Sequence, residues 1–450
     1  IIGSSGIGKT HYACEQIIRE SMENPQHLYY IIVPEQFTMQ TQKNVVEMHP
    51  GKGILNIDVL SFQRLAYRIF EETGGAREVL LDDTGKSMVL QKLVQQHRKN
   101  LPYLGSQMNK PGYLDEVKSL ISEFMQYDIR EEELQDMLGK TGEDSLLHMK
   151  MQDVGVLYQA FLQYLEGHYM TGEGVMDALK KAIPFSDKLK KSVLLLDGFT
   201  GFTPVQMNVI RELLNVCDKV LVTVTMDAGE NPLQLGKPHQ LFYMSRKMIH
   251  TLSGLTSNLD DPVLLKDERK GRFGNSTSLD FLEKHLFRYR RSAYEKKQEE
   301  ICIFAAESPV KELEETARRI RRLVREKNLK YGEIAVITGN LEAYKSIASQ
   351  VFEESRIPYF LDEKHTILMN PFIEYIRAAL EMVTKGFSYE SVFRYLRCDM
   401  SGLGREQVDM LENYVLALGI HGYKKWSEKW VRVYRTMDPE DIQVLNEYRE

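Results

Sequence analysis

Short apolar runs alternate with amphipathic segments over the first 70 residues of the chain. The runs at residues 29–33 and 55–60 have the length of strands, and each is followed by a segment with helical spacing. Strands that alternate with helices form parallel sheets, so their carboxyl ends meet at one edge. We therefore predict an α/β fold whose ligands bind at the loops that follow these strands.

The pattern changes to an almost wholly helical one between residues 80 and 185. Within this region residues 84–87 read TGKS, but the glycine five residues upstream that a phosphate loop needs is missing, so they are predicted to begin a helix. An apolar strand returns at residues 193–196, directly before Asp197. Apolar runs between residues 300 and 362 indicate a second sheet.

A glycine-rich loop at the start of the chain matches every fixed position of GxxxxGK[ST]. The glycines let backbone N–H groups surround a phosphate, and the predicted helix that follows adds the positive end of its dipole. Lys9 would reach the β- and γ-phosphates, and the hydroxyl of Thr10 would bind Mg²⁺. The predicted ATP-binding residues are Gly3, Ser4, Ser5, Gly6, Ile7, Gly8, Lys9 and Thr10.

Asp197 is the second predicted ligand of Mg²⁺. It ends an apolar strand, which is the usual way in which a P-loop protein places a carboxylate against the metal. Buried strands often end in a capping Asp, so the prediction depends on the pairing with Lys9 and Thr10. About 190 residues separate the loop from this acid, and a spacing of that size favours a superfamily 1 helicase over a small P-loop kinase.

Composition and charge narrow the possible partners. Lys and Arg number 58 against 64 Asp and Glu, which gives a net charge of −6. Binding to DNA would therefore use local patches inside a groove and not a basic field of the whole chain. The 4 cysteines form no CxxC pair, which fits a reducing cytoplasm better than a disulfide framework. No apolar run reaches the ~18–20 residues of a membrane span, so no membrane partner is expected.

Several segments resemble the motifs of superfamily 1 helicases. Residues 3–10 resemble motif I, residues 61–66 resemble the TFHxLA segment of UvrD- and RecB-like helicases, and residues 197–206 resemble motif II, DExQDxxxxQ. Residues 331–362 are similar to the opening of the second motor domain. Together with VPEQFT at 33–38, this combination is most similar to the AddB/RexB family, the second subunits of bacterial AddAB (RexAB) helicase–nucleases.

The resemblance implies a P-loop NTPase fold with two RecA-type domains of superfamily 1, each with a helical insertion. Residues 1–80 and 186–290 would form the RecA-like domain 1A with the P-loop, and residues 81–185 the helical insertion 1B. Residues 299–386 would start the RecA-like domain 2A. Residues 387–450 would start a truncated helical insertion, 2B.

The resemblance also implies a function and its partners. The full protein would act with an AddA-type subunit on DNA ends and single-stranded DNA, and would process double-strand breaks for homologous recombination and repair. ATP and Mg²⁺ are the implied cofactors. Because Ile1 lies within a predicted strand and Glu450 within a helical pattern, we expect a longer protein. Its nuclease domain and an iron–sulfur cluster are expected only in the C-terminal part that this sequence lacks.

The departures from the helicase motifs concern hydrolysis. Gly198 stands where an active helicase has the Glu of motif II, and glycine cannot accept a proton or orient the attacking water. Thr200 and Gly201 replace the Gln and the second Asp of that motif, and Gly339 stands where motif IV often supplies an arginine. No catalytic residue is therefore assigned. Our hypothesis is a degenerate motor that binds ATP and Mg²⁺, holds single-stranded DNA and scans it for the Chi sequence.

Polar side chains at two strand ends are the predicted contacts for DNA, because such side chains need partners and the sugar–phosphate backbone offers them. An aromatic ring at the same place could stack on a base, although rings beside sheet ends are more often part of the core. The predicted DNA-binding residues are Gln36, Thr38, Ser61, Phe62, Gln63 and Arg64.

Two alternatives stay open. In the first, the chain belongs to an active, ATP-driven DNA-translocating helicase in which another residue supplies the missing base. In the second, it is a P-loop kinase, which the second sheet-forming segment between residues 300 and 362 disfavours.

Overall fold

Two compact units, Ile1–Cys302 and Ile303–Glu450, divide the chain. The computed structural model describes residues 1–75, 78–108, 110, 112–142, 145–227, 229–266, 271–288, 292–362, 367–434 and 437–450. All strands assigned among these residues lie in the first unit, and the second unit is helical over its described part.

The helices and strands are numbered along the chain. The strands among the described residues are β1 (Ile2–Gly3), β2 (Leu28–Ile32), β3 (Ile57–Leu60), β4 (Val79–Leu81), β5 (Tyr169–Thr171), β6 (Ser192–Leu196), β7 (Lys219–Val222) and β8 (Val224–Thr225). The α-helices of the first unit are α1 (Lys9–Glu23), α2 (Thr38–Met48), α3 (Phe62–Thr73), α4 (Asp83–His97), α5 (Leu104–Gln107), α6 (Tyr113–Gln126), α7 (Glu131–Gly139), α8 (Leu146–Leu165), α9 (Gly174–Ala182), α10 (Pro204–Val216), α11 (Tyr243–Ser253) and α12 (Thr277–His285).

The α-helices of the second unit are α13 (Pro309–Lys327), α14 (Leu341–Glu354), α15 (Pro371–Thr384), α16 (Tyr389–Leu396), α17 (Arg405–Leu418), α18 (Tyr423–Ser427) and α19 (Asp441–Arg449). Short 3₁₀ helices occupy Glu35–Phe37, Arg98–Asn100, Ile183–Phe185, Leu189–Lys191 and Tyr331–Glu333. No helix among the described residues is both long and apolar enough to cross a membrane.

A parallel sheet with the strand order β3-β2-β6-β7 forms the centre of the first unit. Strand β8 pairs in parallel with β1, and only Thr223 separates it from β7. Backbone bonds extend this pairing, since Val224 N donates to Ile1 O at 2.9 Å and Leu265 N donates to Ile2 O at 2.8 Å. The two sheets therefore continue into each other, and the carboxyl ends of their strands share one edge.

Helices cover both faces of this sheet. Successive side chains of a strand point to opposite faces, so Tyr29 and Ile31 pack with Ile17 of α1 in one core. Tyr30 and Ile32 pack in a second core with side chains of α3, α9 and α10. This three-layer arrangement confirms the α/β fold that the alternation of strands and helices predicts.

The chain between α3 and β6 is mostly helical and has its own core. Side chains of α4, α6 and α8 such as Leu90, Ile121 and Leu157 are buried against one another. The segment that reads TGKS lies at the start of α4, where Gly85 N donates to Oδ1 of the capping Asp82 at 2.7 Å. The predicted helix start is thus confirmed. The parallel pair β4-β5 within this region is not visible in the sequence pattern.

A buried ion pair ties α4 to the chain before α9. Lys86 Nζ lies 2.9 Å from Glu173 Oε2, with side-chain exposures of 7% and 11%. The same ammonium donates to Ser122 Oγ of α6 at 3.2 Å. Burial raises the pKa of Glu173, but the hydrogen bonds that it accepts, above all from Lys86, and the positive charge of Lys86 together outweigh this effect and leave that pKa below its ordinary value.

Two helical cores form among the described residues of the second unit. One lies between α13 and α14, where Leu313, Ile320 and Phe352 are buried. The other includes Tyr414 and Trp430 and is formed by α16, α17, α19 and the chain that connects them.

The sheet expected at the start of residues 299–386 is not formed among the described residues of this unit. The apolar runs there form no strand pairs among the described residues, and Ile303 and Ile337 are 94% and 92% exposed. A strand requires a neighbour that completes its hydrogen bonds. Residues 334–337 of one apolar run and residues 357–361 of another, including Phe360, instead line a cavity of about 680 Å³ beside α13 and α14.

Replacing Lys86 by alanine would leave the carboxylate of Glu173 buried without its cation. We expect the free energy of unfolding of the first unit to fall by about 3 kcal/mol, a usual cost for removing one partner of a buried ion pair. Because the pKa of Glu173 is lowered, this contribution is present at neutral pH and is lost as the pH falls through that pKa. Urea unfolding of the intact protein at neutral and acidic pH measures both effects.

The matched control is Lys99→Ala, which removes an exposed lysine of the same helical region. It should change the free energy of unfolding by less than about 0.5 kcal/mol. Equal losses for the two variants would contradict the structural role assigned to the pair.

Candidate functional site

The glycine loop connects β1 to α1, which begins at Lys9. Gly6 and Gly8 have φ angles of 76° and 98°, in the left-handed region that glycine adopts without strain. Strand, loop and helix N-terminus thus follow one another in the order that a phosphate site requires.

Lys9 folds back across this loop. Its Nζ donates to the carbonyl oxygen of Ser4 at 2.9 Å. Burial lowers the pKa of Lys9, and the carboxylates of Asp197 and Glu283 partly oppose that effect. A phosphate group held in the loop would take the place of the Ser4 carbonyl as the partner of the ammonium.

Asp197 accepts hydrogen bonds from two hydroxyl groups that are distant in sequence. Thr10 Oγ1 lies 3.0 Å from both of its carboxylate oxygens, and Thr223 Oγ1 donates to Oδ1 at 2.6 Å. The carboxylate is only 5% exposed, and a buried carboxylate needs such donors. The structure therefore brings together the two side chains that the sequence assigns to Mg²⁺.

The chemistry of this pair suits magnesium. Mg²⁺ prefers oxygen ligands and is usually held by one or two protein groups, with water and substrate phosphates completing the shell. Among the described residues no group of three or more His, Cys, Asp or Glu side chains could hold a metal by itself. Thr10 and Asp197 thus fit a metal that is shared with a bound phosphate.

Gly198, directly after the carboxylate, carries no group that could activate water. Its φ of 79° is one that residues with a side chain rarely adopt. A Cβ built there would meet Pro34 Cδ at 3.7 Å, so the space itself is open. This site therefore differs from one with a glutamate at position 198 in its backbone conformation as well as in the missing side chain.

A cavity of about 730 Å³ lies over the loop and is lined by Lys9, Thr10 and Asp197. Its described lining contains two carboxylates, those of Asp197 and of Glu47 from α2. The side chain of Glu47 is 63% exposed and lies 3.9 Å from Lys43 Nζ. Glu47 is thus the one alternative carboxylate on this lining, and it is well solvated. The imidazole of His11, whose side chain is 68% exposed, is the other group on the lining that could accept a proton.

Three of the predicted DNA contacts, Gln36, Gln63 and Arg64, are exposed at the carboxyl ends of β2 and β3. Arg64 Nε lies 3.4 Å from Oε1 of Glu35, so an ion pair joins the two loops.

Thr38 and Ser61 are buried. The hydroxyl of Thr38 donates to Glu35 O at 3.0 Å. The hydroxyl of Ser61 caps α3 by accepting from Arg64 N at 3.3 Å. In order to donate to DNA, the hydroxyl of Thr38 would have to give up Glu35 O as its acceptor, whereas the hydroxyl of Ser61 could keep the bond that it accepts from Arg64 N.

Phe62 is also buried, with 5% exposure, and belongs to a cluster of rings. Its ring centroid lies 5.6 Å from that of Phe199 and 6.3 Å from that of Phe202. Phe62, Phe199 and Gln63 line a cavity of about 420 Å³ beside the exposed polar contacts. Phe199 and Phe202 were not among the predicted site residues, although their position just after the acidic strand is a signal that could have pointed to them.

Comparison with known proteins identifies the family. The sequence model described as "ADDB, N-terminal" matches residues 1–283. The chain belongs to the AddB family. The resemblance drawn from the sequence motifs is thus confirmed. A second model, "UvrD-like helicase C-terminal domain", matches residues 274–437 and supports a helicase-like fold.

Full-chain relatives agree with membership of the AddB family. A protein of Lachnoclostridium phytofermentans is 41% identical over 100% of this chain and 40% of its own length. Proteins of Clostridium novyi and Caldanaerobacter subterraneus are each 34% identical, over 96% and 100% of this chain and 38% and 39% of their own lengths. All three are named as a subunit of an ATP-dependent helicase/deoxyribonuclease. The chain spans about 40% of the length of these AddB relatives.

The hydroxyl of Thr223 should contribute to stability through Asp197. Thr223→Val keeps the shape of the side chain but leaves a buried carboxylate oxygen with one donor fewer. We expect the free energy of unfolding of the first unit to fall by about 1–3 kcal/mol. Thr223→Ser, which keeps the hydroxyl, should lose clearly less. Urea unfolding of the two variants measures this difference, and an equal loss would show that the hydrogen bond is not responsible.

Proposed function

We propose that this chain is the helicase-like, ATP-binding part of a helicase/nuclease subunit that processes DNA double-strand breaks for recombinational repair. It would act in the cytoplasm with an AddA-type partner subunit, on DNA ends and on single-stranded DNA. The names of the AddB relatives support the helicase and deoxyribonuclease activities of the whole protein. One observation carries the proposal. The phosphate loop is complete, its Thr10 is hydrogen-bonded to Asp197, the carboxylate suited to Mg²⁺, and the residue after Asp197 is a glycine.

Nucleotide binding follows from the contacts of the loop. Lys9 would pair with the β- and γ-phosphates, and the backbone N–H groups of residues 3–10 would surround them. Thr10 and Asp197 would hold Mg²⁺, which neutralises charge on the phosphate oxygens. Their present distance of 3.0 Å places both groups close enough to share one ion.

Hydrolysis would be slow or absent. The attacking water must be oriented or deprotonated, and Gly198 offers no group for either role. Without rapid turnover the subunit would not pull DNA. It would stay bound to the single strand and scan it for Chi while the partner subunit drives translocation of the DNA.

DNA binding would use the carboxyl ends of β2 and β3. Gln36, Gln63 and Arg64 are exposed and suit contacts with the sugar–phosphate backbone. Phe62 would contact a base only through the cavity that it lines. Thr38 and Ser61 would contribute by fixing the two loops, and Thr38 could contact DNA only by exchanging the hydrogen bond that it donates to Glu35 O.

The domain boundaries extend this proposal. Residues 1–80 and 186–290 would be the RecA-like domain 1A, with residues 81–185 as insertion 1B. Residues 299–386 would start domain 2A, and residues 387–450 insertion 2B. The nuclease and its iron–sulfur cluster would belong to the part of the relatives that this chain does not span.

The competing function is ATP-driven translocation by this subunit itself. It would require another group on the described lining of the cavity, either Glu47 or the exposed His11, to act as the base. The solvated ion pair of Glu47 with Lys43 makes it a poor one. A P-loop kinase is disfavoured by the match of residues 274–437 to a helicase domain.

Loss of the ammonium at Lys9 should abolish tight nucleotide binding. We expect Lys9→Ala to weaken MgATP binding by at least about tenfold, because a charge-assisted contact with phosphate disappears. Calorimetric titration of the intact protein, with the nucleotide site of its partner inactivated, measures the affinity. Lys190→Ala, which removes an exposed lysine before β6, is the control. Unchanged binding by Lys9→Ala would mean that the loop does not hold the nucleotide.

Arg64 should contribute one phosphate contact to single-stranded DNA. We expect Arg64→Ala to weaken binding and to reduce the salt dependence of log K by about 0.7, the value for one phosphate of a single strand. The control is Arg68→Ala, one turn further along α3, where the guanidinium pairs with Asp58 at 2.9 Å. Fluorescence anisotropy over a range of salt concentrations tests both variants, and identical slopes for wild type and Arg64→Ala would exclude the contact.

A further inference from the structure

Helix α13 presents a row of arginines on the side opposite its core. Its apolar side packs against α14, where Leu313, Ala317 and Ile320 are buried. Four exposed arginines lie on the other side, and they are Arg318, Arg321, Arg322 and Arg325. At about 100° per residue, these positions fall within an arc of about 100°, and they extend over about 10 Å along the helix axis. We call these four residues the arginine face.

The first half of α13 is neutralised by its own ion pairs, but most of the arginine face is not. Lys311 Nζ lies 2.7 Å from Glu314 Oε2. Glu315 pairs with Arg318 at 3.0 Å and with Arg319 at 2.9 Å. The other three arginines of the face make no ion pair or hydrogen bond with any side chain that the structure describes. Three positive charges therefore lack a counter-charge within the described part of this unit.

The stability of the helix does not account for these charges. Like charges three or four positions apart are neighbours on a helix and destabilise it. Arg318 has such neighbours in Arg321 and Arg322, and Arg325 has the same two. The negative end of the helix dipole favours cations in the last turn only, which accounts for Arg325 but not for the others. An anionic binding partner would remove this repulsion.

The chemistry of the face favours the phosphates of double-stranded DNA. A guanidinium group can bind phosphate oxygens through two parallel hydrogen bonds. One strand of B-DNA has a phosphate about every 3.4 Å along the helix axis, so the arginine face spans about three of them. Proteins bind single strands in grooves where aromatic rings stack on the bases. The arginine face is instead the convex side of a helix, and its four residues offer no ring.

We propose that the arginine face of α13 binds the sugar–phosphate backbone of duplex DNA, independently of sequence. This inference rests on the proposed action on DNA ends, and it adds a surface distinct from the single-strand contacts at the ends of β2 and β3. The second unit would hold duplex, and the first unit would hold single strand. A subunit that does not pull DNA would thereby stay bound to both forms of a partly unwound end.

The test measures duplex binding as a function of salt concentration. The triple variant Arg321→Gln, Arg322→Gln and Arg325→Gln removes three charges and keeps residues that favour helix. Fluorescence anisotropy of the intact protein in complex with its partner subunit, with a labelled blunt-ended duplex, measures the affinity. We expect the affinity to fall by at least about tenfold at low salt, and the slope of log K against log salt to decrease by about 2.7, or 0.9 for each of three phosphates.

Three further measurements serve as controls. The triple variant Lys188→Gln, Lys190→Gln and Lys191→Gln makes the same change of charge at exposed lysines of the first unit, and it should keep the wild-type slope. Substitution of the three arginines by lysine keeps the charge, so the slope should remain while the affinity falls less. The glutamine variant of the arginine face should unfold at the same temperature as wild type or a higher one, because repulsion within α13 is relieved.

Each contrary outcome has a distinct meaning. An unchanged slope for the glutamine variant of the arginine face would overturn the inference, and so would an equal loss of affinity for duplex and for a single-stranded oligonucleotide. Unchanged binding of DNA with weaker association of the two subunits would assign the face to an acidic protein surface instead. If the wild-type complex binds no DNA, both this inference and the proposed function fail. If Arg64→Ala weakens single-strand binding but the glutamine variant keeps its affinity for duplex, only this inference fails.

Discussion

The hydrogen-bonded carboxylate of Asp197 is the interaction on which the nucleotide site depends. It joins the first turn of α1, through Thr10, to the break between β7 and β8, through Thr223. Its own backbone N–H donates to Ile32 O of β2 at 3.0 Å. A carboxylate with 5% exposure is stable only with such donors. The same bonds that satisfy it therefore hold the helix of the glycine loop against the carboxyl edge of the sheet.

This arrangement places two kinds of site on one edge. Of the strands that precede the proposed DNA contacts, β2 is the direct neighbour of β6, the strand that Asp197 follows, and β3 lies on the other side of β2. Nucleotide and DNA strand would thus be held by adjacent loops of one rigid sheet. What the edge lacks is a base after Asp197, and the left-handed φ of Gly198 shows that the backbone there is shaped for glycine. Binding without rapid turnover is the behaviour that this combination favours.

Much of this edge could be predicted from the sequence, because the signals are local. The glycine loop, the apolar strands and the acid after β6 each follow from periodicity or from a motif of a few residues, and the pairing of Thr10 with Asp197 follows from their combined chemistry. Non-local features were missed. The pairing of β4 with β5 joins segments about 90 residues apart, and the ring cluster of Phe62 with Phe199 depends on how two loops pack. The sheet expected in the second unit had strand-like sequences, but a strand also needs neighbours, which the described residues do not provide.

A single-turnover measurement of ATP hydrolysis tests most directly whether this subunit binds ATP without hydrolysing it rapidly. Trace ATP would be mixed with excess intact protein and saturating single-stranded DNA, with the partner's own site inactivated, and ADP would be followed over time. Slow cleavage, below about 10⁻³ s⁻¹ as for a P-loop enzyme without its full catalytic set, is the predicted result. Formation of ADP at about 1 s⁻¹ or faster, the range of ordinary enzymes, would contradict it.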